Sequence, residues 1–184
     1  MFAESRNRGV PVSVSVSRFL DVSEGLQPNQ FTVGSKDEIT SISALDDTYK
    51  QLMDKPLACV MAVMGGDGRP NLTPMWFDYE GDQVLINVAE HRKKTEWIRD
   101  NPQVSILIMN PENMYHWMSM KVTVNREISE DDPTDGARVT EQLNRIAKKY
   151  TGGDEYGLRD PSINERRVLF ECTVDKIATF GVPG

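Results

Sequence analysis

The chain has 184 residues, enough for one compact domain with a modest extension and too few for two full domains. It carries 21 Lys and Arg against 28 Asp and Glu, and the net charge of −7 disfavours a bulk nucleic-acid binder or a protein held on an anionic membrane surface. With 39% hydrophobic and 27% charged residues, the composition is that of an ordinary globular protein rather than a disordered chain.

Residues 1–43 are rich in Ser, Gly, Asn and Gln, and valine alternates with serine from Val10 to Val16. An alternation of period two puts the valines on one face, which favours an edge strand or an arm lying on a partner. A flexible tail is the alternative. We assign residues 1–43 to an N-terminal extension and residues 44–184 to the main domain, and we expect the domain to fold when the extension is removed.

After the extension, the pattern predicts strands and helices joined by short turns. Asp46 or Asp47 can cap the N-terminus of a first helix, which Pro56 prevents from continuing. Later helices are predicted over 91–100 and 137–150. Strands are predicted over 57–64, 70–79, 83–88, 103–109, 115–128 and 166–180, the first three as an antiparallel meander. Together, these strands and helices predict a mainly β protein, a small antiparallel barrel with helices at its margins.

The apolar runs fall far short of the roughly 20 residues that a membrane-spanning helix needs, and no secretory signal is recognisable at the N-terminus. We therefore expect a cytoplasmic protein without a membrane partner. Cys59 and Cys172 each lie in an apolar run, which predicts buried free thiols rather than a disulfide. The two histidines and two cysteines have no metal-ligand spacing, so no metal site is expected.

The most informative segment is the cationic run His91–Lys94, where a predicted strand passes into a predicted helix. Free backbone N–H groups already make a helix N-terminus positive, so cations there are unfavourable unless an anion compensates. A phosphate would compensate, because the N–H groups, the helix dipole and Arg or Lys side chains all attract it. The alternative is a set of solvated surface charges on a frayed first turn.

No protein nucleophile with a positioned base is visible in the sequence. A Gly-x-Ser-x-Gly motif is absent, and the glycines at 65–68 match neither a phosphate-binding loop nor a dinucleotide fingerprint. Trp76, Tyr115 and Trp117 can form the floor of a site for a flat aromatic ligand, and core packing is the alternative for them. Tyr79, Tyr115 and His116 are candidate proton donors, with no pattern that selects one of them.

Several short motifs share their order and spacing with one known family. They are the turn Asp67–Pro70, the run Thr73–Trp76, the strand Val84–Val88, the run Arg92–Lys94 opening a helix that ends at Asn101-Pro102, the strand Tyr115–Val124 and the segment Arg167–Gly181. From about Leu52 to Gly181, the chain resembles the flavin-binding split β-barrel superfamily of pyridoxamine 5′-phosphate oxidase. The closer resemblance is to its branch of flavin- and deazaflavin-dependent oxidoreductases. Two departures, Lys121-Val122 in place of Arg-Gly and Trp97 in place of a small polar residue, bear on substrate choice and on the cofactor tail.

The resemblance implies a split antiparallel β-barrel that forms a homodimer with two cofactor sites at the interface. The cofactor is implied to be FMN or the deazaflavin coenzyme F-420, with its phosphate on Arg92 and Lys94. The three consecutive cations suit the acidic tail of the deazaflavin slightly better than the phosphate monoester of FMN. The implied cofactor-binding residues are Thr73, Pro74, Met75, Trp76, Asn87, Val88, Arg92, Lys93 and Lys94.

The function implied by the resemblance is an oxidoreductase that transfers a hydride between this cofactor and a small unsaturated or electron-poor molecule. Because the cofactor carries the chemistry, a missing catalytic dyad does not argue against an enzyme. One alternative is a non-catalytic module of the same fold that binds a flavin, heme or another flat cofactor. Another is oxidation of pyridoxamine 5′-phosphate itself, which needs further cations near the C-terminus. Arg166, Arg167 and Lys176 are the candidates for those cations.

Overall fold

A computed structural model describes residues 41–180 in full and, nearer the N-terminus, the backbone of three strands. These three are β1 (Val12–Phe19), β2 (Phe31–Thr32) and β3 (Lys36–Ile39). The later strands are β4 (Cys59–Met64), β5 (Pro70–Met75), β6 (Asp78–Glu80), β7 (Gln83–Ala89), β8 (Gln103–Asn110), β9 (Asn113–Ser129) and β10 (Arg167–Phe180). The helices are α1 (Asp47–Asp54), α2 (Lys93–Asp100) and α3 (Gly136–Thr151), with 3-10 turns at Ile42–Ala44 and Pro161–Ile163.

The architecture is mainly β with flanking helices, a split antiparallel barrel as predicted. Two long strands, β9 and β10, pair with each other along most of their length and connect its two halves. One half continues from β9 through β8 and β4 to β5, and the other runs from β10 through β7 to β6. Each of these strands has one extra residue at a register shift, Asn125 on β9 and Asp175 on β10. Such bulges bend the strand pair, so that both halves can curl around the same core.

The predicted strand over 70–79 is broken at Trp76 and Phe77, and this corrects the sequence analysis. Both antiparallel pairings of the predicted meander are present, β5 with β4 and β6 with β7, but its middle strand is two strands rather than one. The cause is a long-range contact with α3. The backbone N–H of Phe77 donates to Tyr150 Oη at 2.9 Å, and its carbonyl accepts from Lys149 Nζ at 3.2 Å. These partners lie more than 70 residues away, outside the reach of local alternation.

The helices follow their predicted signals closely. Helix α1 begins after Asp46, whose carboxylate accepts the Thr48 N–H at 2.9 Å. Helix α2 begins at Lys93, two residues later than predicted, because Arg92 has an extended backbone (φ −76°, ψ 137°). Helix α3 ends at Gly152, whose φ of 77° suits a glycine C-cap. None of the helices in the described part of the chain has the length and apolar character needed to cross a bilayer.

The core fills the barrel and includes residues of α1, α2 and strands β4 and β7 to β10. Cys59 and Cys172 are buried there as free thiols, as predicted, and burial raises the pKa of Cys59 to about 12. A smaller cluster of Leu85, Ile128, Val139 and Leu169 packs α3 onto the sheet. Helix α3 is thereby held against the side of the barrel where β7 and β10 meet.

The Val-Ser alternation predicts a strand, and β1 is present, running parallel to the end of β10 from Ser13 opposite Lys176 to Ser17 opposite Phe180. The predicted edge position is wrong, because β1 also pairs antiparallel with β3 on its other side. Val10 and the side chains of the alternating valines lie outside the described residues. The arm on a partner, like the division at residues 43 and 44, stays a prediction.

Candidate cofactor-binding site

A cavity of about 390 Å³ opens between the ends of β5, β7 and β10, the N-terminus of α2 and one face of α3. It brings together eight of the nine residues predicted to bind a cofactor: Thr73, Pro74, Met75, Trp76, Asn87, Val88, Arg92 and Lys94. The remaining wall comes from Ala89, Leu143, Ile146, Tyr156, Leu158 and Arg167. Three of the lining residues are cations and none is a carboxylate.

Aromatic rings hold the wall formed by the end of β5. The Trp76 ring stacks on Tyr150, with centroids 5.1 Å apart and planes 8° apart, and meets Tyr156 edge-on at 5.9 Å. Tyr150 Oη donates to the Leu57 carbonyl at 2.6 Å and accepts the Phe77 N–H at 2.9 Å. Burial raises the pKa of Tyr150 to about 12, so its hydroxyl keeps the proton that the first of these bonds needs. Helix α3 therefore fixes the position of Trp76.

The opposite end of the cavity is positively charged. Arg92 is the N-cap of α2 and makes no side-chain capping bond. Among the described residues, neither Arg92 nor Lys94 has a side-chain hydrogen bond or an ion pair. The pKa of Lys94 is lowered by burial and then by the positive charges of Arg92 and Arg167. A helix N-terminus with uncompensated cations is a site that an anion would stabilise.

Lys93 is not brought together with the other predicted residues. Its ammonium forms an ion pair with Glu96 at 3.1 Å, and its side chain lines a separate groove with Trp97 and residues of the 65–71 turn. Arg92 has an extended backbone and precedes the helix, while Lys93 and Lys94 lie on α2 and point about 100° apart, so only Lys94 of these two reaches the cavity that Arg92 lines.

Arg167 lines the cavity, whereas the sequence places it with Arg166 and Lys176 as candidate cations for pyridoxamine 5′-phosphate. The structure separates these three: Arg166 pairs with Asp131, and Lys176 lies exposed in the far half of β10. Arg167 is buried beside Asn87, and its guanidinium lies over the Tyr156 ring, 5.1 Å from the centroid. Only the pairing of β10 with β7 reveals this position, since it sets Arg167 opposite Ala89.

The other residues singled out from the sequence lie elsewhere. Trp117 stacks on Phe180 at 5.6 Å, and Tyr115 precedes it on β9 outside the cavity. Tyr79 Oη donates to Asp54 at 2.8 Å, and His116 Nε2 bonds the Thr48 carbonyl at 3.1 Å.

None of the candidate proton donors therefore lines the cavity, and neither does any histidine or cysteine. The described residues also contain no group of three or more His, Cys, Asp or Glu that could hold a metal ion.

Leu143, Ile146, Tyr156 and Leu158 were not predicted as site residues. Leu143 and Ile146 lie within the helix predicted over 137–150, and an apolar helix face by itself does not distinguish a core contact from a cavity wall. Tyr156 lies in a segment rich in glycine and charge, where its N–H donates to Asn144 Oδ1 at 3.0 Å. No local sequence signal could have found it.

Several solved structures have a similar fold. An F-420 reductase matches with a TM-score of 0.57 and 22% identity, over 72% of this chain and 98% of that one. HutZ, the heme storage protein from Vibrio cholerae, matches with a TM-score of 0.51 and 15% identity, over 72% of this chain and 93% of HutZ. HupZ of Group A Streptococcus matches with a TM-score of 0.51 and 14% identity, over 73% of this chain and 93% of HupZ. At these identities the similarity is one of fold.

The family pattern described as pyridoxamine 5′-phosphate oxidase matches residues 45–181, from α1 to just past the end of β10. This range contains every residue that lines the cavity. The chain therefore belongs to the pyridoxamine 5′-phosphate oxidase family of split β-barrels.

Proposed function

We propose that the protein binds a flavin-type cofactor in this cavity and acts as an oxidoreductase. The proposal rests on Arg92 and Lys94, two cations at the start of α2 that have no side-chain partner in the part of the chain that the structure describes. They lie at one end of a cavity whose other walls are largely apolar and aromatic. Membership of a flavin-related family supports the same class of cofactor.

The cavity residues fit the two chemical parts of such a cofactor. A phosphate is suited to the N-terminus of α2, where backbone N–H groups, Arg92 and Lys94 all favour an anion. A flat ring is suited to the wall of Trp76, Leu143 and Ile146, which excludes water from one side. The cavity volume of about 390 Å³ falls within the range of small-molecule sites.

When bound, the cofactor supplies the hydride chemistry. The protein's own residues bind and orient the cofactor. Arg92 and Lys94 bind its negatively charged phosphate, and Thr73–Trp76 with Asn87 and Val88 shape the cavity. Because the cofactor carries the hydride, this proposal needs no protein nucleophile. The second substrate is proposed to be a small unsaturated or electron-poor molecule.

The choice between FMN and coenzyme F-420 depends on what lies beyond the phosphate. FMN ends there, whereas the deazaflavin continues through a phosphodiester into an acidic tail. The groove that holds Lys93, Arg69 and Trp97 borders the same helix N-terminus. Both cations of the groove have a carboxylate nearby: Lys93 Nζ lies 3.1 Å from Glu96, and Arg69 Nε lies 3.9 Å from Asp67. We favour the deazaflavin because only its tail has negative charge to offer to this groove.

The test is titration of the purified full-length protein with FMN and with coenzyme F-420 at the same salt concentration. Tighter binding of the deazaflavin is expected, and binding of neither would overturn the proposal. Reoxidation of the bound reduced cofactor by enones or nitro compounds then separates an enzyme from a storage or sensing module. Such a module would bind the cofactor without passing its electrons on at a useful rate.

We also propose that two copies of the chain associate through the outer face of β4, β5 and β8. The sheet register puts Leu72 opposite Ala62, and Val60 opposite Leu107, on this face. Leu72 is 68% exposed, and β5 lies at an end of the sheet, where its outer edge is open to pairing. Because β5 also supplies cavity residues, association here would cover the cofactor site.

Replacing Leu72 with Glu puts a charge on this face and should shift the protein towards monomer in sedimentation equilibrium. The matched control is Ile163→Glu, which charges another exposed apolar residue (50% exposed) on the 3-10 turn before β10. The control should leave the dimer intact. A monomeric wild-type protein, or equal effects of both substitutions, would contradict the proposed interface.

We propose, finally, that residues 44–184 form the cofactor-binding domain and that residues 1–43 extend it. The family match over residues 45–181 supports this division. A chain beginning at residue 44 should fold with a cooperative thermal unfolding transition and a far-ultraviolet circular dichroism spectrum that loses only the contribution of β1, β2 and β3. If the shortened chain loses its dimer while staying folded, the extension is an arm between subunits.

A further inference from the structure

Behind the cavity wall, buried polar side chains form a continuous chain of hydrogen bonds from β6 to β10. Asp78 Oδ2 accepts from Gln142 Nε2 at 2.9 Å, and Gln142 Oε1 accepts from Asn87 Nδ2 at 2.9 Å. Asn87 Oδ1 in turn accepts from Arg167 Nε at 2.6 Å. All four residues are less than 9% exposed, and only the last two line the cavity.

The chain can run in one direction only. A carboxylate only accepts hydrogen bonds and a guanidinium only donates them, so the two ends impose the orientation of both amides between them. The second N–H of Asn87 Nδ2 donates to the Val139 carbonyl at 3.0 Å, which reinforces that orientation. Asp78 therefore determines which atom of Asn87 faces Arg167.

Arg167 has N–H groups left over for a ligand. Besides the bond to Asn87 Oδ1, Nη1 donates to Glu165 Oε1 at 2.6 Å, and Nη2 reaches the Asn87 carbonyl at 3.4 Å. A guanidinium has five N–H groups, so two remain on a buried side chain that lines the cavity. Leaving them without a partner in a closed site would be costly.

The start of β10 lies directly beside the cationic end of the cavity. Arg167 pairs with Ala89 in the sheet. The Ala89 carbonyl accepts the Arg92 N–H at 3.1 Å and the Thr95 hydroxyl at 3.0 Å, which anchors the start of α2 to β7. Arg167 thus stands next to the residues that the proposed function assigns to a phosphate.

We propose that Arg167 is a third anion-binding residue of the cavity, and that Asp78 and Gln142 are positioning residues that act on it through Asn87. This inference rests on the proposed function, since the anion is the phosphate of the flavin-type cofactor. Asp78 itself touches no ligand. Its carboxylate fixes the two amides, and these hold the guanidinium with its free N–H groups towards the phosphate.

The test uses dissociation constants of Asp78→Asn and Gln142→Leu for FMN and for riboflavin, which lacks the phosphate. If the wild type binds coenzyme F-420 more tightly than FMN, the same comparison is made between coenzyme F-420 and its deazaflavin fragment without the phosphate. Each substitution should weaken binding of the phosphate-bearing cofactor by about tenfold and leave its phosphate-free counterpart within about twofold. In an Arg167→Gln background, Asp78→Asn should cause no further loss, because the residue through which it acts is gone.

The matched control is Arg145→Gln. Arg145 donates to the same Asp78 oxygen through Nε at 3.1 Å and Nη2 at 2.8 Å, from the outer side of α3. Its replacement removes the ion pair and leaves the chain to Arg167 complete, so cofactor affinity should not change.

Equal losses for the two ligands, or a loss that adds fully to that of Arg167→Gln, would mean that the chain only stabilises the wall, and would overturn the inference. A wild-type protein that binds neither cofactor would overturn the proposed function itself. Wild-type binding that Asp78→Asn leaves unchanged would overturn only the positioning role.

Discussion

Two groups of cations lie on either side of the start of β10, and they differ in how far their charges are paired with carboxylates. In the cavity, Arg92 and Lys94 have no carboxylate partner among the described residues, while Arg167 is paired with Glu165 at 2.6 Å. In the neighbouring Glu130 cluster, formed by Glu130, Asp131, Arg159 and Arg166, both arginines are paired with a carboxylate. Arg166 and Arg167 are adjacent in the chain and belong to different regions.

The pairing in the Glu130 cluster is extensive. The Glu130 carboxylate accepts from Arg159 Nη1 at 2.9 Å, from the Thr140 hydroxyl at 2.6 Å and from the Arg167 backbone N–H at 3.2 Å. Burial raises the pKa of Glu130, but these hydrogen bonds outweigh it and bring the pKa to about 2. Fully paired charges hold the fold together, whereas the unpaired Arg92 and Lys94, and the two N–H groups that Arg167 has left over, mark where a ligand is expected.

The largest effect that distinguishes the two regions should come from Arg92→Ala combined with Lys94→Ala. We expect cofactor binding to weaken by about 2–4 kcal/mol, as for charge-assisted contacts to a phosphate, while the fold stays intact. Fluorescence titration at low salt measures the affinity, and circular dichroism checks the fold. Arg166→Ala is the control, since it removes an arginine that is already paired. An unchanged dissociation constant in the double variant would contradict the site assignment.

Glu130→Gln should affect stability and leave cofactor affinity little changed. We expect a loss of about 1–3 kcal/mol at pH 7, because Arg159 and the Arg167 N–H lose a charged acceptor. The folded-state pKa is about 2 against an ordinary value of 4.5, so the wild-type advantage is fully present above pH 4.5. It should shrink as the pH falls towards 2.

Urea unfolding of the wild type and Glu130→Gln at several pH values measures this difference in unfolding free energy. Asp131→Asn serves as the control, because its partner Arg166 and Asp131 itself are well exposed and such pairs contribute little. A gap between wild type and Glu130→Gln that stays constant from pH 7 to pH 3 would show that the carboxylate charge is not the cause.

The smallest effect is expected for Lys93→Ala, the middle cation of the run. Its ammonium is well exposed and paired with Glu96, so FMN affinity should change by less than about 0.5 kcal/mol. Affinity for coenzyme F-420 should fall a few-fold if the acidic tail reaches the groove. Parallel titrations with the two cofactors measure this. A loss of FMN affinity as large as that of the Arg92 and Lys94 variant would show that the run acts as one cluster.

Local signals in the sequence were enough for most of the fold. Asp46 before an amphipathic segment and Pro56 after it define α1, and the spacing of Val139, Leu143 and Ile146 defines α3, which ends at Gly152. The alternating apolar residues of β8, β9 and β10 likewise predict strands close to those observed. These signals succeed because capping, helical spacing and strand alternation act between residues close in the chain.

The tertiary structure decided what depends on distant residues. The strand is broken at Trp76 and Phe77 because Tyr150 and Lys149 bind the Phe77 backbone. Arg167 reaches the cavity because β10 pairs with β7. The sequence by itself determined the residue types of the site, its cationic run and the order of its elements. Which cations share a cavity, and which face another way as Lys93 does, was decided by strand pairing and by the start of α2, since both are set by contacts across the fold.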